Sequence, residues 1–416
     1  MSVTFRELFA TSLKIGLLSF GGPAGQIALM HRVYVDEKQW LEEEDYLSAL
    51  SFCMLLPGPE AMQLATYAGW RLKGVSGGLI AGLLFVLPGA AFMLALALLY
   101  ASFGATGWAE ALFLGVKAAV VVIVIEALLK VSKRALKGRD HWLIAALAFA
   151  GIFVLNLPFP MLIALAALWG FATAKGQGAK VLQGARPKTL TTVLAWLAIW
   201  WAPLAIIALL APGSVLIGIG LFFAKLAVVT FGGAYAVLAY MAQEVVTVQG
   251  WLQPNEMIDG LGLAETTPGP LILVTEFVGT LAGYGAGGIP LAIAAALVTL
   301  WMTFAPCFLW IFAGAPYIER ISAQPRLKNA LAAVTAAVVG VILNLTIWFA
   351  LHVIFGEVSR NTLGPVTLWQ PDFTSINPLV LALTLISALH LLVLKRSLFE
   401  GLLLAALLGL LGQQLM

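Results

Sequence analysis

Apolar residues along this chain form long unbroken runs separated by short polar stretches. The runs lack the strict alternation of a half-buried strand, and many reach the roughly 20 residues a helix needs to cross a bilayer. Thirteen candidate spans fall near 8–33, 46–72, 76–101, 108–130, 141–156, 159–174, 190–211, 215–243, 256–282, 287–314, 328–355, 376–394 and 397–415. Barrel strands would alternate apolar and polar positions, so the expected class is all-α and polytopic. The longest connection, 356–375, contains Pro365 and Pro371 and is expected to be an ordered surface loop. Arg6, Glu7 and Lys14 interrupt any signal-peptide core and no clear cleavage site follows, so the first apolar run is expected to be retained as a helix.

Composition agrees with the pattern. Of 416 residues, 61% are hydrophobic and 10% charged, against about 45–50% and about 25% in soluble domains. A large soluble domain is excluded. With 23 Lys+Arg against 20 Asp+Glu the net charge is only +3, so there is no basic patch for nucleic acid. Cys53 and Cys307 sit inside apolar runs and read as packing residues. His31, His141, His352 and His390 have no metal-ligand spacing. No Walker motif is present, and no cluster of His, Asp and Glu suggests an enzyme. No metal or cofactor is expected.

The chain repeats itself. Lys14 pairs with Lys225, Ser19-Phe20-Gly21-Gly22 with Thr230-Phe231-Gly232-Gly233, Trp40-Leu41 with Trp251-Leu252, and Pro57-Gly58-Pro59 with Pro268-Gly269-Pro270, always at an offset of 211 residues. Gly74 and Gly77 fall on Gly285 and Gly288 in the same register, which reads as an ungapped match over about 65 positions. Farther on, Ala118-Ala119-Val120-Val121 matches Ala336-Ala337-Val338-Val339 at offset 218. The expected division is residues 1–189 for the first copy and 190–416 for the second, the latter including a linking helix at 190–211.

Positive charge marks the cytoplasmic side. Lys130, Lys133, Arg134, Lys137 and Arg139 flank one loop, and Lys175, Lys180, Arg186 and Lys188 another. Counting spans outward places Arg71, Lys73 and the N-terminus inside, Glu42 to Asp45 outside as a solvated loop, and the C-terminus outside. Seven spans before the second copy is an odd number, so the repeats are expected to be inverted. In a rival arrangement only the Pro-Gly-Pro segments re-enter, which leaves six spans per half and a parallel repeat.

Pro-Gly-Pro inside an apolar span must break the helix, and Pro59 and Pro270 are placed as first residues of the restarted segments. The amides after each break, at Glu60-Ala61-Met62 and at Leu271-Ile272-Leu273, are then free to meet an anion. Gly21-Gly22 and Gly232-Gly233 are expected to interrupt spans one and eight in the same way. Broken helices in two inverted copies point to the central site of a transporter. The substrate-binding candidates are therefore Lys14, Lys225, Ser19, Gly21, Gly22, Gln26, Pro57, Gly58, Pro59, Glu60, Gln63, Thr230, Gly232, Gly233, Pro268, Gly269 and Pro270. The two lysines supply charge to an anion in this reading. Glu265, Glu276, Lys117 and Glu126 are candidates for coupling, with Lys117 and Glu126 also readable as a structural ion pair.

The strings Phe20-Gly21-Gly22-Pro23 with Gln26 and His31, Trp40, Leu56-Pro57-Gly58-Pro59 with Gln63 and Tyr67-Ala68-Gly69, Gly77-Gly78 and Leu87-Pro88-Gly89 closely resemble the chromate ion transporter family. The resemblance spans almost the whole chain, as in that family's long two-domain members. It implies a bacterial inner-membrane protein that exports chromate and confers resistance. Transport of sulfate or a related oxyanion by the same fold is the alternative. Expected partners are the oxyanion and the lipid bilayer, with a homodimer left open. The second copy departs from the pattern, with Ala234 at the Pro23 position, Val237 at Gln26, Val274 at Gln63 and Thr267 at Leu56.

Overall fold

The structure is a computed structural model and describes residues 3–20, 22–174, 187–231, 234–318, 324–364 and 366–414. These form 15 α-helices and one small hairpin. The helices are α1 (Phe5–Leu18), α2 (Gly22–His31), α3 (Glu43–Cys53), α4 (Glu60–Phe103), α5 (Gly107–Ala135), α6 (Arg139–Phe153), α7 (Phe159–Thr173), α8 (Pro187–Leu210), α9 (Val215–Val229), α10 (Ala234–Gln243), α11 (Pro254–Thr266), α12 (Val274–Gly314), α13 (Pro325–Ile354), α14 (Pro378–Ala388) and α15 (Leu398–Gln414). Five segments, at Glu60–Phe103, Gly107–Ala135, Thr189–Leu210, Leu271–Tyr317 and Pro325–Ile354, are long and apolar enough to cross a membrane. The fold is a membrane all-α architecture. The expected surface loop is ordered as an antiparallel hairpin, β1 (Val358–Leu363) against β2 (Val366–Pro371), with Leu363 paired to Val366.

The spans expected at 8–33 and 46–72 do not cross; each turns back. α1 has 14 residues, about 21 Å of helix, short of the roughly 30 Å hydrocarbon core. At Gly22 the chain takes φ +72°. α2 and the π-helical turn after it then return, until Lys38 lies close enough to Glu7 to act on its carboxylate. α3 runs in to Pro57-Gly58-Pro59, and the first arm of α4 runs out again. Its Arg71 guanidinium ends 3.6 Å from Asp45, while the Lys73 ammonium lies 5.5 Å from the Phe5 ring centroid. The acidic segment and Arg71, expected on opposite sides, therefore share one end. Glu43, Glu44 and Asp45 form the first turn of α3 rather than a loop, where the helix dipole favours acids. The cause is Gly58, whose φ of +109° reverses the chain instead of kinking it.

Two of the seven crossings counted before the second copy thus disappear. Removing two crossings leaves an odd number odd, so the expected inversion of the copies does not depend on these two spans. The rival parallel arrangement fails because α1 and α2 fold back as well.

The sequence register also needs correction. The sharp turns that follow are at Lys73-Gly74 and Gly287-Gly288, with φ +63° at Gly74 and +69° at Gly288. That offset is 214, not 211. The three extra residues are Leu271–Leu273, a 3-10 turn inserted directly after the second Pro-Gly-Pro. Gly69 faces Ala81 as Gly283 faces Ala295, and Thr66 bonds Met62 O as Thr280 bonds Glu276 O. Glu276 is accordingly the counterpart of Met62. Pro270 caps the 3-10 turn and Pro59 directly precedes α4, one position earlier than expected.

Contacts divide the chain into two compact units, each drawing on both copies. The first comprises Met1–Leu98, Ala174–Ala234 and Thr267–Lys328. In it α12 packs on α8 and α9, and α8 is tied in by Trp200 Nε1 donating to Met302 O at 3.1 Å and by Trp196 stacking on Phe308. The second comprises Leu99–Thr173, Tyr235–Thr266 and Asn329–Met416 and is built round α5, which touches α11, α14 and α15. Small residues let these backbones meet, the usual way membrane helices gain packing energy. A Cβ on Gly115 would lie 1.8 Å from Ala405 O. Gly115→Leu should therefore force α5 and α15 apart, at 3 kcal/mol or more on the scale of about 1–3 for ordinary overpacking. A lowered melting temperature and a smaller monodisperse fraction in detergent would register this.

Candidate functional site

In the first unit the breaks of both copies meet. α1 ends at Ser19 and α9 at Thr230, each hydroxyl turned back to the carbonyl four residues earlier, at 2.6 Å in both cases. The next amide also repeats, Phe20 N donating to Leu18 O and Phe231 N to Val229 O. The freed carbonyls are then used crosswise. Gly58 N donates to Thr230 O at 2.9 Å, and Gly269 N donates to Ser19 O at 2.8 Å. Each Pro-Gly-Pro turn of one copy is held by the Ser/Thr break of the other, as a two-fold relation between the copies requires.

Glycine is required at both turns. A Cβ on Gly58 would meet Gln63 Nε2 at 2.9 Å and Cys307 Sγ at 3.0 Å, while Gly269, at φ +91°, lies against Gly89 and Leu273. Gly89 is bare for the same reason, because a Cβ there would come within 2.2 Å of Pro268 O. Buried glutamines complete the tips. Gln26 Nε2 donates to Gly269 O at 2.6 Å, and Gln63 Nε2 to Pro57 O at 2.7 Å. Val237 at the Gln26 position cannot repeat this, so the two halves of the site differ.

Between the tips lies a small cleft lined by Pro23, Gln26, Gly58, Pro59, Glu60, Ala61, Thr230, Ala234, Pro270, Leu271 and Ile272. Its walls include the first residues of α2, α4, α10 and the 3-10 turn before α12. Each α-helix start carries roughly half a positive charge and amides without helical partners. The Gln26 side chain, 1% exposed, has its Oε1 buried without a hydrogen-bond partner. Among the described residues no cationic side chain lines the cleft, and Glu60 is its one ionisable group.

The sequence candidates fall into three groups. Ser19, Gln26, Pro57, Gly58, Pro59, Glu60, Gln63, Thr230, Pro268, Gly269 and Pro270 come together at the tips, while Gly22 begins α2 with open space at its Cβ position. Gly21, Gly232 and Gly233 lie outside the described residues. Lys14 and Lys225 occupy exposed faces of α1 and α9, beside Leu17 and Leu18 in one case and Leu221 and Val228 in the other, and neither lines the cleft.

The coupling candidates separate too. Glu276 is 0% exposed, and neither carboxylate oxygen has a hydrogen-bond partner. The other three lie in the second unit, where Glu265 accepts from the Tyr235 hydroxyl at 2.6 Å. Lys117 and Glu126 are not a pair, since nine residues of helix separate them by about 13 Å. Lys117 sits 3.8 Å from Asp259, and Glu126 binds Lys130 at 2.5 Å. Asp259, which also accepts from Tyr100 at 2.8 Å, is a residue the sequence reading missed. Its signal was available, because an intramembrane lysine calls for a partner acid and Asp259 lies in the same apolar run as Glu265.

The chromate transporter family model matches residues 6–171 and 217–412, once over each copy. A chromate transport protein of Pseudomonas aeruginosa is 35% identical over 350 residues, covering 82% of this chain and 80% of the relative. One from Cupriavidus metallidurans is 32% identical over 83% of each chain. A probable chromate transport protein of Synechococcus elongatus is 30% identical over 82% of this chain and 83% of its own. No solved structure matches the chain. With a family match over both copies and relatives aligned along more than four-fifths of its length, this multi-pass membrane protein belongs to the chromate transporter family.

Proposed function

We propose that this protein is a secondary transporter that exports chromate across the bacterial inner membrane and so gives chromate resistance. The observation that carries the reading is the convergence of helix starts from both copies on one cleft, stitched by reciprocal hydrogen bonds between the turns. A tetrahedral dianion fits such a place because amides and helix dipoles supply its counter-charge with little reorganisation. Irregular backbone at membrane depth is tolerated only where protein or a cavity covers it. Re-entrant tips from opposite faces meeting at such a point allow alternating access.

Basic residues give the orientation. Arg71, Lys73 and the run from Lys130 to Arg139 belong on the cytoplasmic side, which puts the N-terminus inside and the C-terminus in the periplasm. Export of a dianion is then favoured by about 2.3 kcal/mol per charge per 100 mV, without ATP. Lys14 and Lys225, equivalent positions on exposed faces, supply positive potential along the approach. A lysine in an apolar helix costs about 2.5–3.5 kcal/mol by insertion scales and is expected to face an aqueous path. Glu276, Glu265, Lys117 and Glu126 are the groups available for coupling to protons.

Everted membrane vesicles test the reading. Labelled chromate should accumulate when the interior is made positive, and the comparison with labelled sulfate decides between the two oxyanions. Lys225→Ala should reduce the initial rate at least about tenfold at unchanged protein level, with Lys225→Arg retaining most of it. Wild-type rates in Lys225→Ala would remove the lysine from the path.

A further inference from the structure

We infer that the second unit carries an oxyanion site of its own, beneath the β1–β2 hairpin and separate from the cleft between the Pro-Gly-Pro turns. A pocket opens there, and its lining includes polar side chains from four places in the chain. Arg360 comes from β1, Asn156 from the α6–α7 connection, Gln243 and Thr247 from the end of α10 and the π-helical turn after it, and Asn344 from α13. Trp348 and Trp369 supply flat walls.

The chemistry of the lining selects an anion. Among the described residues its one charged side chain is Arg360, and no acid lines it. The guanidinium carbon lies 5.6 Å from the ring centroid of Trp369, another lining residue, a cation–π contact. The backbone at Asn156 has φ +50°, a left-handed conformation that asparagine tolerates better than most residues. Its Oδ1 accepts from Gln243 Nε2 at 2.5 Å, which leaves the Asn156 Nδ2 donor for a ligand. The hairpin is fixed in place, because the amide of Thr367 donates to Val154 O at 2.7 Å. A planar guanidinium beside side-chain amide donors, with no carboxylate among the described lining residues, matches a small oxyanion of the sulfate or chromate type.

The hairpin belongs to the second copy alone, since the matching connection in the first copy, between α5 and α6, is only Leu136 to Gly138. In the orientation proposed above the hairpin faces the periplasm, so this site would take the oxyanion on the outer side. The choice of oxyanion rests on the transport reading; the existence of the site does not.

Equilibrium binding of radiolabelled sulfate to the purified full-length protein in nanodiscs tests it. Wild type should show two classes of site. Arg360→Gln should weaken one class at least about tenfold, as loss of a charge-assisted hydrogen bond does, and leave the other. Asn344→Leu should weaken that same class, and a thermal melt checks that both variants are folded. Gly58→Ala should affect only the opposite class. Unchanged isotherms in both folded variants, or a single class in wild type that Arg360→Gln leaves unchanged, would overturn the site while leaving the cleft intact. If Gly58→Ala alters neither class while Arg360→Gln removes one, the peripheral site stands and the cleft fails.

Discussion

Gly58→Leu is expected to reduce chromate flux to below about 1% of wild type while the protein still reaches the membrane. At φ +109° an L-residue is strained by about 1–3 kcal/mol. The new side chain must also displace Gln63 and Cys307, which already lie within 3.0 Å of a bare Cβ position. Relief by moving the turn would break the Gly58 N to Thr230 O bond and pull one helix start away from the other three. Gly58→Ala should fall between, and Gly269→Leu should reproduce the loss from the opposite side. Initial rates in everted vesicles, normalised to immunoblotted protein, are the measure. Normal flux in Gly58→Leu would mean that the turn does not shape the site.

Glu60 controls the second large effect. Among the described residues it is the one ionisable group in the cleft lining, and the Cys53 thiol on α3 is a titratable neighbour. An ionised carboxylate about 4 Å from a dianion is repelled by about 8 kcal/mol at an effective dielectric near 20, and water in the cleft reduces this. Protonation and anion binding should therefore assist each other. In wild type, sulfate affinity should rise as the pH falls through the titration of Glu60; sulfate suits the test because it stays a dianion throughout. Glu60→Gln should bind at high pH at least about 100-fold more tightly than wild type and lose most of its pH dependence. A wild-type profile in the variant would place Glu60 away from the anion.

The sequence disclosed the ends of the elements that matter and concealed their paths. Ser19, Thr230 and the two Pro-Gly-Pro strings repeat at constant offset, so the breaks could be located and expected to work together. Hydropathy cannot distinguish a broken span from a pair that turns back, because both are apolar over the same length; Arg71 beside Asp45 had to be seen. The inserted turn at Leu271–Leu273 was hidden by the run of glycines at 283, 285, 287 and 288, in which Gly74 matches Gly285 at offset 211 as readily as Gly288 at 214. Lys14 and Lys225 were found as a pair, but a charge in an apolar run does not announce which face of its helix it occupies. The partner of Lys117 lies on a helix about 140 residues away, a long-range contact that no local pattern encodes.

The crosswise bonds between the turns bear on the order in which the chain can be built. The amide of Gly58 is synthesised about 170 residues before its acceptor at Thr230, which at about 5–20 residues per second is on the order of ten seconds or more. Hydrocarbon offers that amide no substitute, and leaving it bare there costs several kcal/mol. Until translation of the later half supplies Thr230, the early hairpins are stabler near the water boundary or against the insertion machinery than at full depth. Final seating of the first half is thus a post-insertion event, triggered by the arrival of the second.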